Sequence, residues 1–116
     1  MTGVQTCALP ICFPVTILTE NVSVTANETI CEITGDIENN GVTFASFQMA
    51  LSSSGKIYAT DENGNSMYLT DPNNDWPASY QALCTVMIPQ GKTIQIKFST
   101  DATLYNMIVV LGGSVF

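Results

Sequence analysis

The residues richest in chemistry are acidic and amide side chains gathered in two short stretches. Asp71-Pro72-Asn73-Asn74-Asp75 sets oxygen donors at i, i+2 and i+4. That spacing opens many calcium loops, because alternate side chains of a turning backbone can point at one ion. The stretch lacks the glycine that follows the third donor in such loops and the bidentate Glu downstream. Asp61, Asn63 and Asn65 repeat the spacing in a weaker form. Asx-rich runs also make good turns with no ion at all. Calcium held by Asp71, Asn73 and Asp75 is one expectation, and a metal-free turn needing no cofactor is the other.

Trp76 is the only tryptophan and is followed closely by Pro77 and Tyr80. Exposed, Trp76 and Tyr80 would stack on a sugar ring or anchor a ligand, with Asp61 and Asn63 supplying polar contacts. Buried, Trp76 caps one end of the fold. Cys31 and Cys84 offer a similar choice. A disulfide between them would contribute about 2–4 kcal/mol. The alternative is two buried thiols in a reducing compartment or a virion. Two cysteines without histidine are too few for a zinc site.

Other chemistry is disfavoured by what the chain lacks. Its 116 residues carry 3 Lys and Arg against 10 Asp and Glu, and no His, for a net charge of −7. The three cations are Lys56, Lys92 and Lys97. No basic face is available for nucleic acid or for anionic lipid. Without His the usual general base is missing. No phosphate loop or nucleophile elbow is present, and no pair of carboxylates is marked for glycoside hydrolysis. The chain is expected not to be an enzyme. No stretch approaches the 18 apolar residues of a spanning helix, so membrane insertion is not expected.

Residues 13–116 read as a single all-β domain, a β-sandwich with jelly-roll-like order or, alternatively, an immunoglobulin-like sandwich. Thr, Val, Ile, Ser, Tyr and Phe dominate, and Asn, Gly, Asp and Pro recur as turn clusters every 8–15 residues, the spacing of a sandwich or small barrel. Lys92–Phe98 alternates cleanly, with Ile94, Ile96 and Phe98 on one face. Tyr80–Ile88 places Tyr80, Ala82, Cys84, Val86 and Ile88 together, and Pro89-Gln90-Gly91 between the two runs suggests a hairpin. Val42–Leu51 changes phase between Phe44 and Phe47, as a bulge near Ala45-Ser46 would produce. Glu38-Asn39-Asn40-Gly41 and Asp61–Asn65 read as turns. Leu104–Leu111 is apolar on both faces, which suits a central strand or one packed against another subunit.

The first dozen residues, MTGVQTCALPIC, are of another kind. The run Thr2–Ile11 resembles the translation of a short-read sequencing adapter, in register from a GTG start, with Cys12 straddling the junction. The resemblance implies that residues 1–12 stand outside the fold and that 13–116 is the C-terminal part of a longer protein from assembled microbial or phage sequence. It would also leave Cys31 and Cys84 as the genuine cysteines.

Val86-Met87-Ile88-Pro89-Gln90-Gly91-Lys92-Thr93-Ile94-Gln95-Ile96, followed by an apolar final strand, resembles the tumour-necrosis-factor-like jelly rolls of phage fibres and microbial surface proteins. That resemblance implies a virion or cell-surface location and self-association, with trimers common in such families. The corresponding function is a structural or assembly domain. The competing reading is a carbohydrate- or ligand-binding module built on Trp76, Tyr80, Asp61 and Asn63. For the immunoglobulin-like alternative, Trp76 and Tyr80 lie at the wrong distances from Cys84.

Overall fold

The computed structural model describes residues 9–11, 15–18, 20–35, 42–89 and 91–113. They form ten strands and no helix: β1 (Leu9–Ile11), β2 (Val15–Leu18), β3 (Val22–Val24), β4 (Thr29–Thr34), β5 (Val42–Leu51), β6 (Ile57–Thr60), β7 (Ser66–Tyr68), β8 (Ala82–Pro89), β9 (Thr93–Phe98) and β10 (Ala102–Gly113). One sheet runs β1-β4-β9-β6-β7, and the other runs β2-β10-β5-β8 with β3 also on β10. The chain is an all-β sandwich.

Its order follows from one long hairpin rolled up. β3 pairs with β10, β4 with β9, β5 with β8 and β6 with β7, all antiparallel, with the tip at Asp61–Asn65. The roll closes where β5 meets β10 and β6 meets β9. This wrapping is the jelly-roll arrangement. In an immunoglobulin sandwich the first two strands share a sheet, whereas here β1 and β2, and likewise β3 and β4, lie in opposite sheets, so that alternative is set aside.

The core fills the space between the sheets with the inward residues of alternating strands. Phe47, Met49, Leu104, Met107 and Val109 come from one side, and Ile33, Ile57, Ile96 and Phe98 from the other, all essentially inaccessible. Burying each contributes about 1.5–3 kcal/mol. The alternation expected for β8 and β9 is present, with Ala82, Cys84, Val86 and Ile88 buried in β8 and Ile94, Ile96 and Phe98 buried in β9. Tyr80, expected on the same inner face, is exposed instead, because the strand begins only at Ala82. The expected β8–β9 hairpin is not. β8 pairs with β5 and β9 with β4 and β6, so the turn after Pro89 crosses from one sheet to the other. Two strands with buried inner faces can face each other across a core as readily as share a sheet. The expected bulge in β5 is also elsewhere. The β5–β8 register runs unbroken from Val42 opposite Pro89 to Met49 opposite Ala82, and the irregularity falls in β10 between Leu104 and Asn106. Phe44 simply faces outward.

β1 lies parallel to β4, Leu9 opposite Cys31 and Ile11 opposite Ile33. Three residues of the adapter-like stretch thus line a sheet edge, where open backbone groups accept any extended segment. Residues 1–8 and 12–14 lie outside the described residues, as does the expected turn at Glu38-Asn39-Asn40-Gly41.

Gly35, just past β4, lies against the end of β8. A Cβ there would collide with the backbone oxygen of Pro89 and crowd that of Ile88. Gly64 has φ +86° and open space around it. Gly35→Ala is expected to cost about 1–3 kcal/mol through overpacking against rigid backbone, and Gly64→Ala about 1–2 kcal/mol from its left-handed backbone alone. Urea midpoints would check both, and a Gly35→Ala protein as stable as the parent would show that the sheets can separate there freely.

Candidate functional site

Asp61 opens the β6–β7 tip. Its Oδ1 accepts the backbone N–H of Asn63 and of Asn65, and its Oδ2 accepts from the Asn65 amide, all at 2.9 Å. The Asn65 bonds, more than the Asn63 bond, hold its carboxyl below the ordinary 3.8. Asp71 is built the same way, accepting from Asn73 N–H at 2.9 Å and from the Asn74 amide at 3.0 Å. The Asn74 bond is the main cause of its lowered pKa. Both carboxylates are turn-makers whose lone pairs are directed at their own loops. Asp75 turns to Lys56, whose Nζ lies 2.7 Å from Asp75 Oδ1. That bond, with Asp71 nearby as a smaller influence, raises the lysine pKa. The cation that this acidic loop draws in is therefore Lys56. Among the described residues no group of three or more His, Cys, Asp or Glu is placed to hold a metal.

Trp76 is strapped onto the sandwich. Its backbone pairs with Gly55 in both directions, its Nε1 donates to the Tyr80 carbonyl at 3.0 Å, and its ring packs half-buried on the core. The ring that would stack on a sugar is committed to capping one end of the sandwich, while Tyr80 stays 66% exposed. The structure does not gather Trp76, Tyr80, Asp61 and Asn63 into one cleft. Trp76 and Tyr80 share a loop, and Asp61 and Asn63 belong to the hairpin tip.

Cys31 and Cys84 lie on β4 and β8, in opposite sheets. Cys84 is a free thiol, so it is not bonded to Cys31. Burial pushes its pKa up to about 11. A thiol so far above its usual range is a weak nucleophile at neutral pH.

The feature that the motifs do not announce is the outer face of β10, β5 and β8. Ile108, Val110, Phe44, Leu83 and Met87 are exposed there. The registers set Val110 beside Ser46 and Thr85, Ile108 beside Gln48 and Leu83, and Phe44 beside Met87. The hydroxyls of Ser46 and Thr85 share a 3.3 Å hydrogen bond. None of these residues is charged. The opposite outer face carries Glu32, Thr34, Tyr58, Gln95 and Lys97 instead, with Gln95 donating to Glu32 at 3.1 Å and the Thr34 and Thr93 hydroxyls 2.9 Å apart. All the described Asp, Glu and Lys side chains lie off the neutral face. Sequence reading anticipated β10's part in it. Leu83 and Met87 were visible only as apolar residues on the second parity of a strand already apolar on its first.

No family model and no curated protein matches the chain.

The Asp61 cage yields a titration prediction. Its folded pKa is below the unfolded value, so the carboxylate stabilises the tip above the unfolded pKa and that contribution fades as pH falls through the folded one. Asn65→Ala should move the Asp61 midpoint upward toward 3.8 in an NMR carboxyl titration. An unchanged midpoint would remove the cage as its cause. Cys84 should resist alkylation at about pH 8 in the native protein and react once urea unfolds it. Rapid native labelling at Cys84 would contradict its burial.

Proposed function

We propose that this chain is a non-catalytic structural or assembly domain, of a phage virion or a microbial surface appendage, whose copies meet through the neutral face of β10, β5 and β8. The observation that carries the reading is the segregation of charge. A chain of net charge −7 repels its own copies, and the surface on which two of them can approach is the one that bears no carboxylate among the described residues. That surface also exposes Phe44, Leu83, Met87, Ile108 and Val110 together. Interface cores are depleted of charge and contiguous apolar patches mark contact sites. The virion or surface setting rests on the resemblance of Val86–Ile96 to fibre-tip jelly rolls, which also points to trimers.

Solution mass against concentration tests the proposal. The parent should associate, and more strongly as salt screens the repulsion between acidic bodies. Ile108→Lys, placing a charge on the central strand of the face, should weaken the association with its melting temperature little changed, since Ile108 is already 38% exposed. A parent that stays monomeric at its highest soluble concentration would overturn the reading.

A further inference from the structure

Sheet edges in monomeric proteins are guarded by charge, proline, bulges or brevity. β7 is three residues long, and β4 carries Glu32 and is flanked by β1. β8 has none of these along its length. It runs eight residues, meets β5 in unbroken register, has no second partner among the described residues, carries no charge and has proline only at its last position.

Its side chains are arranged symmetrically about Thr85. Cys84 and Val86 face inward on either side, then Leu83 and Met87 face outward, then Ala82 and Ile88 face inward. Leu83 and Met87, at 72% and 61%, are the most exposed large aliphatic side chains described.

We infer that β8 pairs with β8 of a second copy, antiparallel and centred on Thr85, joining two sandwiches through one continuous sheet. An antiparallel strand paired with itself is a two-fold, self-complementary contact. Directly opposite residues share a face, so this register sets Leu83 against the second copy's Met87, Thr85 against the second copy's Thr85, and Cys84 against the second copy's Val86. A slip of one residue would bring inward side chains to the outer face. A slip of two would leave Leu83 opposite a threonine with a shorter overlap, or opposite a proline. The inference rests on the self-association proposed above and adds to the contact through the face a two-fold contact at its edge, in place of the three-fold arrangement that the resemblance implies.

Cross-linking tests it in the full chain. Opposed Cα atoms in an antiparallel pair lie about 4.5 or 5.5 Å apart, within the roughly 4.4–6.8 Å of a disulfide. With glutathione disulfide as oxidant, Thr85→Cys should form an 85–85 bridge between copies, mapped by peptide mass, at least about tenfold faster than Thr34→Cys on the opposite face. Leu83→Cys mixed with Met87→Cys should give an 83–87 bridge that neither variant gives alone. Thr85→Lys should abolish the dimer, and Thr34→Lys should not. A parent monomeric at every concentration would overturn this geometry along with the self-association it rests on. A parent that associates, and does so more weakly with Ile108→Lys, yet cross-links no faster at 85 than at 34, would overturn the edge pairing alone. Preferred 87–87 bridging would overturn the register.

Discussion

The contact between β5 and β10 closes the structure. Nine pairs join Thr43–Leu51 to Leu104–Gly113, segments far apart in sequence, and they put β5 and β10 at the middle of their sheet. Each inner face then contributes to one core, with Phe47 and Met49 from β5 and Leu104, Met107 and Val109 from β10. Until that contact forms, β8 has half a sheet to rest on and β2 and β3 have none, because both pair with β10. A fold built on such non-local pairing closes long loops before it gains much burial, which makes it a slow folder for its size.

The same closure sets the character of the surface. A strand central in its sheet has no free edge, so its only route to solvent is the face opposite the core. Ile108 and Val110 on β10 and Phe44 on β5 lie there, while the described acidic residues, Glu32 on β4 apart, lie in the loops. The loops spend that charge locally. Asp61 and Asp71 tie down their own turns, and Asp75 takes Lys56. A surface pair such as Lys56–Asp75 adds little stability, but it holds the Trp76 loop beside the strand that begins at Ile57. In the Asp-x-Asn runs that suggest an ion-binding loop, Asp61 and Asp71 shape their own turns.

Much of the fold was legible in the sequence, and the rest was hidden for identifiable reasons. Period-two alternation in Ala82–Ile88 and Thr93–Phe98 reports which side chains are inside, and the inward sets match the structure. It carries no information on which strand lies alongside, and so the Pro89–Lys92 turn could be read as a hairpin when it is a crossing between sheets. In β5, Phe44 looked like a core residue out of phase because large aromatics are usually inside. It is instead part of the exposed face. The loop residues were legible as turn-formers. Their separation into two distant loops depends on the roll, which local spacing does not encode.

The neutral face was the least legible element, since it is defined by an absence. No motif marks Leu83, Met87, Phe44, Ile108 and Val110, which come from three strands and meet only through the β5–β8 and β5–β10 registers. What makes them a site is contrast with the rest of the molecule. If the described acidic residues were scattered evenly over the surface, some would fall among the outward positions of these strands. Ser46, Gln48, Thr85 and Asn106 hold those polar positions instead. Neutral polar side chains keep such a face wettable while leaving no charge to desolvate when it is covered, and burying an unpaired carboxylate would cost several kcal/mol. On an acidic domain, the cost of contact between copies is lowest where carboxylates are missing, and that region is the one the central strands present.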